Sequence, residues 1–299
     1  MSLIFSVPGK TFLAGEYLAL QGGPALVFLS QPCFELEAKP GKGNVEAVHP
    51  DSPAGLFIRK HTDYFSHYDL TFRDPYQGKG GFGASTAQFL SAFALWLYKT
   101  SQQQDMEKVL DLKHLLEEYY QVAWNGEGQR PSGADLVGQF KGSMTFFEKR
   151  KGLIAVKSWP FDDLEFFLLH TGNKVATHEH LKSIKEFDAS SLEKSFNLIK
   201  ESFEIGNSEH FIQGIDSYAN DLKDLGFTCK ETLQILEEMR KVPGVRAAKG
   251  CGALGADVIL AVTQKNQTEE FGKFCAARHL PILSSVDKIS LGLQVRGTL

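Results

Sequence analysis

The sequence is poor in cysteine and has no cluster of it. Cys33, Cys229, Cys251 and Cys275 stand far apart among 299 residues, with no CxxC pair and no histidine group at metal-ligand spacing. That pattern argues against a disulfide framework and a zinc site and predicts four reduced thiols. Long apolar runs are missing too: the longest at helical spacing, Phe89 to Tyr98, is well short of the roughly 20 residues that a membrane-spanning helix needs. The amino terminus carries no basic segment followed by an apolar stretch, so a cytoplasmic chain without membrane contact is expected. Neither sign of charge is in excess. With 32 Lys and Arg against 36 Asp and Glu the net charge is −4, too weak a field to gather a nucleic acid. Any anion site must therefore be local. No period of roughly 20 to 50 residues recurs and no tract is low in complexity, which excludes solenoids, propellers and disordered arms.

What remains is an ordinary globular composition, 42% hydrophobic and 23% charged, and enough length for one large domain or two ordinary ones. Strands are expected over Leu3 to Val7, over Phe12 to Leu20 after a Pro-Gly turn, over Pro24 to Ser30, and over Phe34 to Ala38 with clean alternation. Apolar residues from Ala84 to Tyr98 and from Glu107 to Trp124 recur at helical spacing. Gly142 to Glu148 and Leu153 to Lys157 predict a hairpin whose turn carries Lys149, Arg150 and Lys151. From about 178 to 241 the chain is charged and helical, and Thr228-Cys229-Lys230-Glu231 fits a capping box. A strand over Asp257 to Thr263, a helix near Gln267 to Arg278 and strands near 281–285 and 289–296 follow. The composition shift places a domain boundary near residue 157, giving an α+β chain with domains 1–157 and 158–299.

Glycine is the one residue in excess, 28 copies or about 9% against roughly 7% on average, and it is clustered. Gly78-Lys79-Gly80-Gly81-Phe82-Gly83 runs directly into Ala84-Ser85-Thr86 and the helix that begins there. Glycines let a ligand approach the backbone, and the first helical N–H groups, lacking intrahelical partners, point at it with the positive dipole end. The stretch is an anion cradle, to which Lys79 adds charge and Ser85 and Thr86 hydroxyls. It also matches GxGxxG literally, so a nicotinamide dinucleotide is a second reading. That fingerprint needs a buried strand immediately upstream, and Arg73-Asp74-Pro75-Tyr76-Gln77 is a poor one. Gly9-Lys10-Thr11 lacks the earlier glycine of a P-loop, Ile4 standing there instead. Two further clusters are Pro8 to Tyr17 and Lys249 to Asp257, with Glu127 to Asp135 as a charged turn between them. Taken singly, Lys10 and Glu16 are surface charges on a strand and Asp135 is a first-turn helix acid favoured by the dipole.

Taken together and in order, these segments resemble the GHMP kinase superfamily, which phosphorylates galactose, homoserine, mevalonate and phosphomevalonate. Pro8 to Tyr17 resembles its first motif, Gly80 to Ala87 its nucleotide-phosphate loop and Lys249 to Asp257 its third, glycine-rich motif. Pro131-Ser132-Gly133-Ala134-Asp135 resembles the PSGxD segment of the mevalonate-type kinases, and Thr171 to Thr177 their TGxxAST segment. The resemblance implies a ribosomal-S5-type N-terminal domain, a ferredoxin-like C-terminal domain and a ligand cleft between them. It implies ATP phosphates held by Lys79, Gly80, Gly81, Phe82, Gly83, Ala84, Ser85 and Thr86, and Mg2+ on Ser85 and Glu127. Lys10 and Asp135 would be catalytic. Glu16, Tyr17, Ser132, Lys174, Gly252 and Ala253 would face the acceptor. Two departures stand out: Leu254 and Ala256 replace glycines of the third motif.

The acceptor implied is a small acid of the mevalonate pathway of isoprenoid biosynthesis. Tyr17, where mevalonate kinases usually carry His, and the form of the third motif favour phosphomevalonate; the PSG segment is shared with mevalonate kinases. A phosphorylated acceptor needs extra cations, for which Lys174, His178, Lys182 and Arg130 are candidates. A catalytically silent relative that binds nucleotide or metabolite stays open, motivated by the altered third motif. The 23 phenylalanines leave a homodimer interface open as well.

Overall fold

The structure, a computed structural model, describes residues 2–100, 110–172, 184 and 186–298. Strand β1 (Leu3–Ala14) lies antiparallel to the long β2 (Pro24–Pro40). Leu3, Phe5 and Val7 are buried and stand opposite the buried Ala38, Leu36 and Phe34, as the two-residue period of a strand with one face on a core requires. β3 (Tyr68–Arg73) and β4 (Met144–Glu148) both pair with β2, and β5 (Leu153–Lys157) pairs with β4. A second antiparallel sheet comprises β6 (Leu164–His170), β7 (Val245–Cys251), β8 (Val258–Gln264) and β9 (Ile282–Ser285) in the order β7-β8-β6-β9. The boundary near 157 falls between the two sheets, but the last strand, β10 (Gln294–Gly297), returns to the first sheet and pairs with β1.

The helices before the second sheet are α1 (Pro53–Lys60), α2 (Thr62–Phe65), α3 (Ala84–Thr100), α4 (Leu112–Ala123) and α5 (Ala134–Lys141). Phe89, Leu90, Ala92, Phe93, Ala94 and Leu95 of α3 are all fully buried, so this helix is apolar around most of its circumference and sits inside the molecule. α3 and α5 both pack on β1 and β2. The remaining helices among the described residues are α6 (Ser190–Ile205), α7 (Ser208–Asp224), α8 (Lys230–Met239) and α9 (Glu269–Ala277); α6 packs on α7, and α7 and α8 pack on β7. Aromatic rings join the layers: Phe28 of the first sheet meets Phe166 of the second edge-on at 4.8 Å. No phenylalanine is among the exposed large apolar residues of the described chain. No helix among the described residues is long and apolar enough to cross a membrane, and all four cysteines are free thiols.

Three local expectations are corrected. Pro8-Gly9 is not a turn: β1 runs through it, and the register steps from Pro8 opposite Cys33 to Gly9 opposite Ser30. The extra residues on β2 make a bulge, which is where a strand tolerates a proline. The strand expected over Phe12 to Leu20 stops at Ala14, because Gly15 adopts φ 93° and Leu18–Gln21 forms a 3-10 turn. Helix α8 starts one residue later than the capping box implies, and Thr228 does not cap it. Cys229 holds the N-cap position without a side-chain cap, and its N–H donates to the carbonyl of Leu254. The hairpin of β4 and β5, with Lys149–Lys151 at its turn, is as expected.

Candidate active site

The glycine loop is entered from an edge strand. After β3 the Asp74 carboxylate accepts from the N–H groups of Tyr76 (2.8 Å) and Gly78 (2.7 Å), closing a turn. Since among the described residues β3 pairs only with β2, and antiparallel, the loop does not belong to a parallel βαβ unit there, and the dinucleotide reading loses its structural context. Phe82 is buried and stacked on Tyr76 at 4.2 Å; its ring anchors the loop, leaving only its backbone to face a ligand. Thr86 is likewise turned inward, donating to the Gly83 carbonyl at 3.0 Å. Ser85 is exposed. The first intrahelical bond of α3 runs from Ala87 to Gly83, so the N–H groups of Ala84, Ser85 and Thr86 precede it and are available to an anion.

The three bends converge. A Cβ on Gly80 would lie 2.9 Å from Asp257 Oδ1, one on Gly81 2.6 Å from Val258 Cγ2, and one on Gly83 2.7 Å from Lys10 Cγ. The second cluster therefore touches the first on one side and the third on the other. Lys10 N–H donates to the Phe82 carbonyl (2.9 Å). Gly83 has φ 80°, which a side chain adopts only with strain, and its space is taken by the Lys10 stem. Gly83→Ala is expected to cost about 1–3 kcal/mol in urea unfolding, whereas Ser85→Ala at the exposed neighbour should change stability by under about 0.5 kcal/mol. Equal stability of the two variants would remove Gly83 from this argument.

Gln139 was not legible as a site residue. Fully buried, it donates from Nε2 to the Pro8 carbonyl (2.9 Å) and the Gly83 carbonyl (3.1 Å). It thereby ties the first bend and the glycine loop to α5, which carries Asp135 one turn earlier. A glutamine in an apolar helix face was the available signal. Asp135 is half-buried, its Oδ1 accepting from the Leu136 N–H at 3.0 Å. Ser132 Oγ accepts from the Ala134 N–H (3.2 Å) and the Ser132 carbonyl accepts from the Tyr120 hydroxyl (2.9 Å).

Glu16 and Tyr17 are buried, so Glu16 is not a surface charge. Glu16 Oε1 pairs with Lys249 Nζ at 2.7 Å, with the two side chains 5% and 0% exposed. Burial opposes the lysine charge, but the neighbouring Cys251 sulfur and the Glu16 carboxylate override it and hold the Lys249 pKa above its ordinary value. Tyr17 is buried, stacked on Phe227 at 4.0 Å, and its hydroxyl accepts from the Leu254 N–H at 3.0 Å. Burial raises the Tyr17 pKa. Leu254, at φ 52°, keeps the left-handed conformation that a glycine would adopt there. Both residues thus clamp the first bend to the third. Gly252 and Ala253 lie in that tight turn, their carbonyls accepting from Gly255 and Ala256 (both 3.1 Å).

Thr171 extends the cluster: its N–H donates to the Asp257 carbonyl (3.1 Å) and its hydroxyl to that of Ala256. Burial lowers the pKa of the neighbouring His170, an effect opposed by Asp257 and increased by Lys79. Lys174, His178 and Lys182 lie outside the described residues. Glu127 is exposed in a turn where its carboxylate meets Asn125 Nδ2 at 3.5 Å. Among the described residues no hydrogen bond or ion pair joins it to the glycine loop, and no group of three His, Cys, Asp or Glu could hold a metal ion.

Neither a family model nor a curated protein matches this sequence. Solved structures match along nearly its whole length. Methanococcus jannaschii mevalonate kinase is 14% identical with a TM-score of 0.73, over 96% of this chain and 98% of that one. Streptococcus pneumoniae phosphomevalonate kinase, in complex with phosphomevalonate and AMPPNP, is 17% identical with a TM-score of 0.75, over 95% and 99%. Lactococcus lactis galactokinase, complexed with galactose, gives 12%, 0.76, 98% and 95%. The chain has the GHMP kinase fold. Within that fold, contacts of Lys10, Gln139, Glu16 and Tyr17 join bends that the sequence keeps far apart.

Proposed function

We propose that this chain is an ATP-dependent kinase that transfers the γ-phosphoryl group of Mg-ATP to a small acid, mevalonate or phosphomevalonate. The observation that carries the reading is that the glycine loop meets Lys10 on one side and the third bend, at Asp257, on the other. The phosphates of ATP fit them: the N–H groups of Ala84, Ser85 and Thr86 lie at the positive end of α3, and the loop glycines leave the backbone open to close approach. No ion pair engages Lys10 among the described residues; its ammonium stands 5.2 Å from the Phe12 ring. A cation held against the loop and left unneutralised by the protein suits a polyanion.

Magnesium would take the exposed Ser85 hydroxyl, because Mg2+ keeps several waters and takes only one or two protein groups besides the phosphates; Glu127, which no contact joins to the loop among the described residues, is the second candidate from its place in the sequence alone. When bound it neutralises phosphate charge. Lys10 would meet the charge that develops on the moving phosphoryl group. Asp135 would take the proton of an alcohol acceptor; a phosphomonoester is already ionised near neutral pH, and Asp135 would then serve to orient it. Of the two replacements in the third motif, Leu254 keeps a glycine-like backbone and Ala256 an ordinary right-handed one; the first supports an active rather than a silent protein. The test is ADP release with Mg-ATP and, in turn, mevalonate, 5-phosphomevalonate, homoserine and galactose. One of the two mevalonate-type acids should be turned over; no ADP from any of the four would sink the proposal.

A further inference from the structure

The turn between β4 and β5 carries three consecutive cations, and two of them are neutralised. Lys151 pairs with Glu148 at 2.9 Å and Arg150 with Glu193 at 3.6 Å. Lys149 does neither. Its Nζ donates to the Tyr120 hydroxyl at 2.9 Å and stands 4.3 Å from the centre of that ring. On the same ring lies the guanidinium of Arg130, 3.7 Å from its centre. Among the described residues neither cation has a carboxylate at ion-pair distance.

Two like charges on one aromatic ring repel each other. Burial, followed by the charge of Arg130, lowers the pKa of Lys149. Cation–π contact with Tyr120 offsets part of the cost, and among the described residues no acid pairs with either cation. The ring they share is tied to the segment that leads into Asp135, where the Tyr120 hydroxyl donates to the Ser132 carbonyl. Burial raises its pKa to about 12, Arg130 pulling down and Asp135 pushing up, so both charges act on the same hydroxyl.

We propose that Arg130 and Lys149 form the seat of a phosphate already present on the acceptor, so that the substrate class is a phosphomonoester rather than an acid with a carboxylate alone. The proposal rests on the kinase reading above. Two uncompensated cations match the two charges of a phosphomonoester near neutral pH, with the planar fork of Arg130 and the point charge of Lys149 both donating. A carboxylate would neutralise only one of them. The phosphate would then lie beside Ser132, with the rest of the acceptor extending toward Asp135.

The experiment is isothermal titration of the whole chain with 5-phosphomevalonate and with mevalonate, each in the presence and absence of AMPPNP, for the wild type, Arg130→Gln and Lys149→Gln. Both positions are exposed, so melting temperatures should stay close to the wild-type value. The wild type should bind 5-phosphomevalonate at least about tenfold more tightly than mevalonate, since each charged hydrogen bond is worth that much. Each variant should weaken 5-phosphomevalonate by about tenfold or more while leaving AMPPNP unaffected. Wild-type affinity in either variant, or mevalonate bound as tightly as its phosphate ester, would overturn the proposal. Heat of binding needs no turnover. Phosphate binding that depends on Arg130 and Lys149 in a protein that releases no ADP would therefore sink the kinase reading and leave the seat standing. Turnover with an unchanged acceptor KM in both variants would do the reverse.

Discussion

Lys10→Met should lower kcat/KM by about a thousandfold, the scale of losing a group that stabilises charge in the transition state. Methionine keeps an apolar stem of similar length beside Gly83, where the Lys10 side chain packs. The hydrogen bond from residue 10 to the Phe82 carbonyl is made by the backbone and survives the substitution. The loop should thus keep its path, and the variant should differ from the wild type chiefly by one charge. The loss should fall mainly on kcat, with AMPPNP affinity reduced by no more than about tenfold, because the amides at the start of α3 still hold the phosphates. Steady-state kinetics with an ADP-coupled readout, together with an AMPPNP titration, separates the two. Wild-type kcat in the variant would remove Lys10 from the mechanism. An equal fall in kcat/KM and AMPPNP affinity would make it a nucleotide-binding group only.

The elements that sequence predicts well are those whose signals are local. Helix α3 announces itself through apolar residues at helical spacing, and the hairpin of β4 and β5 through two short apolar runs around a basic turn. The glycine loop was recognisable because four glycines abut a helix start. Local signals misled where tertiary pairing decides. Pro8-Gly9 has the composition of a turn, yet β2 supplies residues opposite it and carries the strand through. Thr228 has the right spacing for a cap, but the start of α8 is held instead by a bond from Cys229 to Leu254.

The same limit applies within the candidate site. Lys10, Ser85 and the loop glycines could be named because their types and order match a pattern. The inward turn of Phe82 and Thr86 could not, since which side of a loop faces the core depends on Tyr76 and Gly83 in space. Gln139 reads as an ordinary helix residue until its two acceptors, Pro8 and Gly83, are brought beside it. Nothing about Glu16 reveals a partner 233 positions away.

That partner sets up the second large effect: Glu16→Ala should destabilise the protein by about 3–5 kcal/mol, the cost of stranding one charge of a buried pair. Lys249 is 0% exposed, and without the carboxylate its ammonium would face Cys251 and the ring of Tyr218, 5.8 Å away. Neither replaces an anion. The double variant Glu16→Ala, Lys249→Met removes both charges and fills the space with an apolar side chain, so it should recover most of the lost stability. Urea unfolding of the wild type, both single variants and the double variant gives the coupling directly. The cycle also separates the two roles that Glu16 could have. As an acceptor ligand it would leave stability nearly unchanged when lost and raise the acceptor KM instead. As a clamp it holds the loop after β1 against β7, so stability falls first. A Glu16→Ala protein as stable as the wild type would mean that the pair with Lys249 does not hold the first and third bends together.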